Sequence, residues 1–442
     1  MNLSRPGGRV KPVPAADPWA SQSRGARSGV ARQEHLREHN LSVALAHVLD
    51  AREPPSRAEL AAVTGLARPS VTSLVEQLIR GGMVRELLPR PAQRAGRPAV
   101  PLAPARGTFA GIGMEVNVDY LGLRAVDLAG TVLAERVEAG DQRTRSPEQT
   151  LDRLAQLVGG VLGRLVGQGV RVVGTSLALP GLVDAGTGPL RVAPNLGWRD
   201  VDVVGRLVQH PALADLPPDL ANEAKLAALA EARVRRGSPQ PSFVYVSGEV
   251  GIGGAVVLGG ELFRGQHGWS GEIGHVVVDP CMPGGPRLGT LEARAGQEAM
   301  LRVAGLPDGA PVHRLVAACA AGDTRALAAV AGAGRALGIA LSGVVHVVDV
   351  DQVVLGGTFG QLYGYVRDEV SRALDELVIT APWSPVTVGA ARAGEFPAMT
   401  GGALAALRRL VQQPSAWLDR STTTTTTTAT VATAGTAAGG PA

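Results

Sequence analysis

The residues best placed to do chemistry lie in one glycine-rich stretch, from Ser242 to Glu292. An apolar strand, Phe243–Val246, opens it, and the segment Gly271-Glu272-Ile273-Gly274-His275 follows a glycine-rich turn. Glycines let backbone approach a ligand closely, and Glu272 and His275 place a carboxylate and an imidazole beside them. This combination predicts a small-molecule pocket, in which the two polar groups either catalyse or only bind.

Composition bounds the class of protein. The chain has 442 residues, 45% of them hydrophobic and 3% aromatic, which is enough for more than one domain with its own core. No apolar run approaches the roughly 18 residues of a membrane span, and the N-terminus lacks the apolar core of a secretory signal. Two cysteines, Cys281 and Cys319, cannot build a disulfide framework. We therefore expect a cytoplasmic, nucleoid-associated protein with no membrane partner.

Charge is divided unevenly along the chain. Residues 1–105 carry 15 Lys and Arg against 8 Asp and Glu, whereas the remainder carries 28 against 31. A basic first part on a mildly acidic body is typical of a protein whose N-terminal segment binds a polyanion. A basic, disordered tail would give the same balance, so charge alone leaves both interpretations open.

The elements that follow favour a DNA-binding domain over residues 34–98. Residues 1–33 are rich in Gly, Pro, Ser and Arg and are expected to be a disordered tail. Apolar residues at helical spacing then predict a helix that ends before Pro54. Ser56 and Glu59 have the spacing of a capping box, which would start a short helix with Leu60 and Val63 inward.

A second helix is predicted over residues 67–80, after a turn at Gly65. Its first turn carries four polar side chains that could reach base edges or phosphates: Arg68, Ser70, Thr72 and Ser73. Its apolar stripe comprises Val71, Leu74, Val75 and Leu78. A short helix, a glycine-containing turn and such a second helix indicate a helix-turn-helix. An ordinary three-helix bundle is the alternative.

The segment after this helix is a plausible wing. Residues 83–88 predict a strand, and the loop that follows, up to Pro98, contains Arg94 and Arg97 among glycine and proline. An extended basic loop fits a narrow minor groove and its phosphates. Alone it could be a solvated linker, but directly after a helix-turn-helix it favours DNA. The Pro-rich residues 99–106 are expected to be a linker.

Beyond this linker, strands and helices alternate. Strands are predicted over 109–114, 120–127, 170–178 and 352–355, and helices over 147–165, 222–236 and 326–348. Strand-rich segments separated by helices, occurring twice, predict an α/β fold of two lobes with a cleft between them, over residues 107–412. Residues 413–442 include a run of threonines and are expected to be a disordered tail.

From about Leu41 to Gln412 the chain resembles the ROK family (repressor, open reading frame, kinase), which groups bacterial transcriptional repressors with related sugar kinases. The resemblance rests on the order of several motifs: the helix-turn-helix, Pro180–Asp184, Pro194–Trp198, Gly251–Gly254, Gly271–His275, Leu291–Glu292 and Val354–Gly357. It implies an actin-like, hexokinase-like (ribonuclease H-like) fold with a sugar between the lobes. Family kinases lack the DNA-binding domain, so the resemblance implies the repressor branch.

A kinase of this family needs a phosphate-binding turn of the form Asp-x-Gly-Gly-Thr, which corresponds here to residues 115–119. Both glycines are absent: Val118 adds bulk where backbone should meet phosphate, and Asp119 adds a negative charge. We therefore expect no productive ATP site, although five glycines of the nucleotide loops survive: Gly251, Gly253, Gly254, Gly356 and Gly357. Hairpin and strand-turn geometry is the alternative explanation of those glycines, and the one we favour.

The general base of the family kinases is also altered. The resemblance places this base, an Asp in the family, at Glu223, and Lys225 stands where the family motif has Asn. Glutamate is one methylene longer, and catalytic geometry tolerates little displacement. A glutamate could still accept a hydrogen bond from a sugar hydroxyl, so we expect binding without catalysis.

The family zinc site is incomplete as well. Its cysteine positions hold Pro283, Gly285 and Thr290. His275 and the nearby Cys281 do not complete a tetrahedral structural site. We therefore expect no zinc and no other cofactor.

By resemblance, the sugar-binding residues are Gly181, Asn195, Asn222, Glu223, Glu272, His275 and Glu292. All but Glu223 match the family residue. Leaving a ligand hydroxyl unpaired in such a site costs roughly 1–3 kcal/mol. A nearly complete set of hydrogen-bonding partners therefore favours a retained sugar site. A buried histidine with its hydrogen bonds satisfied is the alternative for His275.

We interpret the chain as a sugar-responsive DNA-binding transcriptional regulator, a repressor of carbohydrate-metabolism genes, that does not phosphorylate its ligand. The expected partners are a double-stranded DNA operator, a sugar or sugar phosphate effector, and further copies of the chain in a homodimer or higher oligomer. One alternative is an active, glucokinase-like sugar kinase with an appended DNA-binding domain. Another is a regulator that has lost its ligand.

Overall fold

A computed structural model describes residues 27–89, 99–184, 189–283 and 285–418. Its first part is a helix-turn-helix with a two-stranded wing: α1 (Arg27–Asp50), α2 (Arg57–Thr64), α3 (Arg68–Arg80), β1 (Val84–Glu86) and β2 (Leu102–Pro104). Both hydrogen bonds of the capping box at Ser56 and Glu59 are present. Gly65 then ends α2 in the left-handed conformation, with φ 70°.

Two expected boundaries of this part need correction. Residues 99–106 are not a free linker, because β2 lies within them and pairs antiparallel with β1. Helix α1 begins at Arg27, earlier than the predicted start of order at Glu34, while residues 1–26 lie outside the described residues.

The inward face of α2 also differs from the prediction. Leu60 is buried as expected, but Val63 is 66% exposed and Ala61 is buried in its place. Helix α2 is short, so only one narrow face of it packs against α1 and α3. Leu60 and Ala61 provide that face, and Val63 lies on the solvent side.

Two lobes follow, each built on a five-stranded sheet. The strands of the first are β3 (Phe109–Val116), β4 (Tyr120–Asp127), β5 (Val132–Ala139), β6 (Arg171–Leu179) and β10 (Pro218–Asn222). Those of the second are β11 (Phe243–Gly248), β12 (Ile252–Leu258), β13 (Glu261–Phe263), β14 (Gln352–Gly356) and β15 (Thr387–Ala390). The spatial orders are β10-β6-β3-β4-β5 and β13-β12-β11-β14-β15.

Both sheets have the same topology. In each, the first three strands form an antiparallel meander, and two later strands add in parallel beside the first strand. This repeat is the predicted two-lobed, actin-like and hexokinase-like fold. The strands and helices that the sequence predicts in this region agree with the structure to within two residues at each end.

Helices and a small sheet cover the outer faces. On the first lobe lie α4 (Pro147–Gly167), α5 (Val203–Leu207), and a sheet of β7 (Leu182–Val183), β8 (Leu190–Ala193) and β9 (Trp198–Val201). On the second lie α7 (Leu291–Ala295), α8 (Gln297–Ala304), α9 (Val312–Ala320), α10 (Thr324–Val348), α11 (Gly357–Gln361) and α12 (Tyr363–Leu377). By length and composition α10 could cross a membrane, but 61% of its most apolar window is buried, as in a core helix.

Two helices, α6 (Glu223–Val234) and α13 (Pro397–Gln412), lie between the lobes. They pack backbone to backbone on each other, and α13 packs in the same way on β3. A Cβ at Gly113 of β3 would lie 1.8 Å from the carbonyl oxygen of Met399, and one at Gly401 would lie 1.7 Å from that of Leu226. No side chain fits at either position, so these glycines set the spacing of the lobes.

The helix-turn-helix is docked on this layer rather than tethered to it. Its buried leucines and valines share one apolar cluster with Phe109 of the first lobe and with Leu407 and Leu410 of α13. The short helix α14 (Ser415–Leu418) packs at the edge of this contact. Its Trp417 ring lies edge-on to the Phe109 ring, with 6.2 Å between the ring centroids. Residues 413–418 are thus ordered, contrary to the expected disordered tail, and residues 419–442 lie outside the described residues.

Candidate functional site

The seven predicted sugar-binding residues line one cleft between the lobes: Gly181, Asn195, Asn222, Glu223, Glu272, His275 and Glu292. We call this the interlobe cleft. Its lining also includes the turns that follow the first strand of each lobe, at Asn117–Val118 and at Glu249–Gly251. The structure therefore brings together seven predicted residues that are spread over 111 positions of the sequence, from Gly181 to Glu292.

Asn222 organises the first wall of the cleft. It is the N-cap of α6, where its side-chain oxygen accepts a hydrogen bond of 3.0 Å from the Ala224 backbone N–H. Its amide nitrogen donates to Glu223 Oε2 at 2.8 Å and to the Gly181 carbonyl at 3.3 Å. One side chain thus fixes the start of α6, the carboxylate at the base position and the loop after β6.

The glycine motifs let the loop that carries Glu272 and His275 pack directly on β12. Gly271 has φ +86°, and a Cβ there would lie 2.5 Å from the Gly254 carbonyl oxygen. A Cβ at Gly274 would lie 2.4 Å from the Ile252 carbonyl oxygen. Both glycines are therefore required by close backbone contact, which holds the two polar side chains at the cleft.

Glu292 is fixed from the opposite side. Its Oε2 accepts a hydrogen bond of 2.9 Å from the Ile252 backbone N–H. A Cβ at Gly251 would lie 2.5 Å from the same oxygen and 3.2 Å from the amide nitrogen of Asn195. The glycine at position 251 therefore allows the Glu292 carboxylate and the Asn195 amide to lie close to this turn.

The other glycines of the nucleotide loops are also explained by protein contacts. A Cβ at Gly253 would lie 2.8 Å from that of Ala224, and one at Gly254 would lie 2.6 Å from Ile273 Cδ1. A Cβ at Gly356 would lie 2.2 Å from the Tyr245 hydroxyl, and Gly357 has φ +53° with the Gly248 carbonyl close by. Packing accounts for all of them, which supports the hairpin and strand-turn explanation.

Lys225, which departs from the family motif, neutralises Glu272. Its Nζ lies 3.9 Å from Glu272 Oε1 and donates to the Gly268 carbonyl, and the lysine is only 6% exposed. Burial raises the pKa of Glu272, while Lys225 and His275 offset part of that rise. Glu272 can therefore accept from a hydroxyl while its charge is balanced by the protein.

Two backbone amides of the turn that would bind phosphate donate to acceptors within the turn. The Asn117 N–H donates to the Tyr120 carbonyl at 3.0 Å, and the Val118 N–H donates to its neighbour's side-chain Oδ1 at 2.7 Å. The Val118 side chain is 2% exposed and belongs to the core of the first lobe. These two backbone donors are therefore used within the turn rather than pointing at a ligand.

Glu223 stands at the position of the general base. Burial raises its pKa well above the ordinary value, and the negative charge of Glu249 raises it further. Both effects favour the protonated carboxyl, which can donate to or accept from a hydroxyl but cannot take up its proton.

A second cavity, of about 690 Å³, adjoins the cleft and shares Glu223 and Glu249 with it. It is also lined by Glu115, Tyr245 and Glu395, so we call it the acidic cavity. Sequence reasoning missed Glu115 and Glu249 as site residues. A glutamate closing an apolar strand, and another inside a glycine-rich turn, are signals that could have drawn attention to them.

The residues present do not fit the zinc that the family implies. Thr290 accepts a hydrogen bond from the Ala293 N–H as the N-cap of α7, and its hydroxyl donates to the Arg287 carbonyl. Cys281 is exposed, and within the described parts of the chain no group of three His, Cys, Asp or Glu side chains is arranged to hold a metal ion.

The predicted DNA-binding side chains begin α3. Arg68, Ser70 and Ser73 are exposed and Thr72 is half-buried, while the apolar stripe of the helix is buried. The Thr72 hydroxyl donates to the Arg68 carbonyl, which leaves Arg68 and Ser70 as the most accessible groups of this turn. Arg94 and Arg97 lie outside the described residues, between the two wing strands.

Comparisons with known proteins identify what the chain is similar to. The model of the ROK family matches residues 111–409. The xylose repressor of Bacillus subtilis (strain 168) is 29% identical over 276 residues, which are 62% of this chain and 70% of the repressor. The kanosamine kinase of Amycolatopsis mediterranei (strain S699) is 35% identical over 299 residues, which are 64% of this chain and 95% of the kinase.

A solved structure is similar over a longer part of the chain. It is that of a ROK family transcriptional regulator described as a homologue of the E. coli MLC protein, with a TM-score of 0.70 and 25% sequence identity. The match covers 87% of this chain and 98% of the other. It therefore extends beyond the two lobes into the helix-turn-helix part.

Proposed function

The chain belongs to the ROK family, and we propose that it is a sugar-responsive transcriptional repressor that binds its sugar without phosphorylating it. The observation that carries this proposal is a docked helix-turn-helix in the same chain as a cleft lined by all seven predicted sugar partners. A relative named xylose repressor and a regulator of similar structure support the assignment. DNA, a sugar and a second copy of the chain are the proposed partners, since helix-turn-helix proteins usually read paired half-sites.

Catalysis is the second candidate, because the kanosamine kinase is 35% identical. The cleft argues against it at two points. The backbone donors at Asn117 and Val118 are used within the turn, and Glu223 is biased toward its protonated form.

The proposed mechanism is a shift between two arrangements of the lobes. Helix α6 begins at the cleft with Asn222 and Glu223 and ends at the helix-turn-helix, where Arg233 donates to the Leu49 carbonyl at 2.9 Å. Arg233 and Arg236 also pair with Asp50, the last residue of α1. A sugar that draws the lobes together would move α6 and thereby the DNA-binding helices.

One set of measurements tests this function. The protein is mixed with a panel of neutral and amino hexoses, pentoses and their phosphates, and thermal stabilisation is read with and without ATP and magnesium. We expect at least one sugar to raise the melting temperature of the wild type but not of Glu272→Ala, with no sugar phosphate formed. Phosphate transfer at enzymatic rates would establish the kinase instead.

A further inference from the structure

Three glutamates meet where the interlobe cleft opens into the acidic cavity. Glu223 and Glu249 line both spaces, and Glu115 lines the cavity. The Asn117 side-chain nitrogen donates to Glu249 Oε2 at 2.5 Å. It also lies 3.5 Å from Glu115 Oε1, so two carboxylates from different lobes share one donor. Among the described residues that line the cavity there are four glutamates and no Lys, Arg or His.

The protein provides no ion pair for these carboxylates. Among the described residues, none of the three forms a salt bridge. The nearest cations are committed elsewhere, because Arg124 pairs with Glu135 and Lys225 with Glu272. Burial, and then the charge of Glu249, raise the pKa of Glu115 to about 8. In the absence of a ligand, protons therefore take the place of a cation.

Two buried polar atoms at this place also lack partners. Glu115 Oε2 and the Tyr245 hydroxyl form no hydrogen bond of acceptable geometry, although both residues are only 1% exposed and line the cavity. The nearest polar side chains are Tyr120 beside the carboxyl and Ser247 beside the hydroxyl. Leaving such a group unpaired costs about 1–3 kcal/mol, so buried polar atoms nearly always have a partner. Burial also raises the pKa of Tyr245, which keeps its hydroxyl protonated and able to donate. The two atoms point to a polar ligand group in the cavity.

We propose that the effector is an amino sugar, whose hydroxyls occupy the interlobe cleft and whose ammonium group lies between Glu115, Glu223 and Glu249. The assignment deepens the proposed function and rests on a sugar binding in that cleft. An ammonium donates three charge-assisted hydrogen bonds and removes the need for the carboxyls to be protonated.

Other ligand chemistries fit less well. A neutral sugar would form no ion pair with these carboxyls, and a sugar phosphate would add negative charge beside them. A metal ion is disfavoured because the described carboxylates are not arranged to coordinate one. The hydroxyl counterpart has nearly the shape of an amino sugar without its charge, which makes it the sharpest comparison. The N-acetyl counterpart also lacks the charge but is larger by an acetyl group.

The test compares matched sugars by calorimetry at pH 7.5. Glucose derivatives with an amine at carbon 2, 3 or 6 are each measured beside the N-acetyl and hydroxyl counterparts. We expect one amine to bind at least about tenfold more tightly than both counterparts. Glu115→Gln and Glu249→Gln should each abolish this preference while retaining weak binding of the neutral sugar, and the exposed Glu376→Gln should change nothing.

The outcomes separate this inference from the function on which it rests. Equal or tighter binding of a neutral, acetylated or phosphorylated sugar would overturn the amino-sugar assignment and leave the sugar-responsive regulator standing. An amine preference that survives both Gln substitutions would overturn the placement of the ammonium group. If no sugar of any kind binds, both proposals are lost.

Discussion

Glu115, Glu223 and Glu249 differ from the other cleft residues in having charge that the protein does not balance. Glu272 is paired with Lys225, and Glu292 accepts from the Ile252 backbone. The balanced groups suit sugar hydroxyls, whereas the unbalanced ones require either protons or a cation.

This charge makes stability depend on pH. Burial raises the pKa of Glu115 from 4.5 to about 8, so between these values the folded protein keeps a proton that the unfolded chain has lost. The free energy of unfolding therefore falls as pH rises from about 4.5 to about 8, and the loss is complete above that range. Glu115→Gln should remove most of this dependence and be more stable than the wild type at pH 8.5 by about 2–4 kcal/mol.

Urea denaturation at pH 5.5 and pH 8.5 measures the effect. Glu249 and Glu223, whose pKa values are also raised, should leave a smaller residual slope in the variant. Glu376→Gln, in an exposed turn of α12, is the control and should follow the wild type. Parallel pH profiles for Glu115→Gln and the wild type would contradict a buried, unbalanced carboxyl.

At the scale of elements, Gly113 and Gly401 of the central layer are among the most constrained positions. A Cβ at Gly113 would meet the Met399 carbonyl oxygen at 1.8 Å, and this contact is between backbones, which cannot rotate away. Gly113→Ala should therefore destabilise the protein by about 1–3 kcal/mol or more and weaken sugar binding, because the lobes are forced apart. Differential scanning calorimetry measures the first effect and calorimetric titration the second.

Gly160 in α4 is the matched control. A Cβ there has no atom within 4 Å, and the residue is exposed in a helix. Gly160→Ala should leave stability unchanged or raise it by up to about 1 kcal/mol. If both alanine variants behave alike, the spacing of the lobes is not set by the glycines.

Helix α6 gives a second prediction at this scale. Arg233→Ala removes the contacts with the Leu49 carbonyl and Asp50, and should leave sugar affinity within about twofold of the wild type while reducing the effect of sugar on DNA binding. Arg206→Ala, which breaks an exposed pair with Asp152 in the first lobe, is the control. Sugar-dependent DNA binding that is intact in Arg233→Ala would show that α6 does not carry the coupling.

Most elements of the fold could be predicted from the sequence because their signals are local. Apolar alternation, the capping box at Ser56 and glycine at Gly65 locate strands and helix ends without knowledge of the fold. What could not be predicted depends on distant partners. Strand β2 exists because β1 pairs with it, and residues 413–418 are ordered because Trp417 packs on Phe109.

The candidate site was likewise only partly predictable from the sequence. The seven residues predicted to bind sugar were chosen because their motifs resemble those of a known family, and the structure places all seven around one cleft. Their contacts with a sugar stay a prediction. The acidic cavity could not be identified, because Glu115 and Glu249 lie in different lobes and their meeting depends on how the lobes pack. The contacts of Arg68, Ser70, Thr72, Ser73, Arg94 and Arg97 with DNA stay a prediction.

At the scale of the whole molecule, three parts meet around α6 and α13: the cleft, the acidic cavity and the helix-turn-helix. The last of these shares its apolar core with Phe109 and Leu407, so it is packed against the lobes. We therefore propose that a change in lobe spacing reaches the DNA-binding helices, in a direction that decides whether sugar releases or promotes DNA binding. We propose release, as expected of a repressor with an inducer.

Operator affinity, measured by fluorescence anisotropy as sugar is titrated, tests this account most directly. The duplex is first selected from a random pool with the full chain. We predict that the sugar identified by thermal shift changes DNA affinity at least about tenfold, over the concentrations that saturate the cleft, and that Glu272→Ala binds the duplex normally but does not respond. An affinity that stays constant while the cleft fills, or an equal response in Glu272→Ala, would contradict a sugar-responsive regulator.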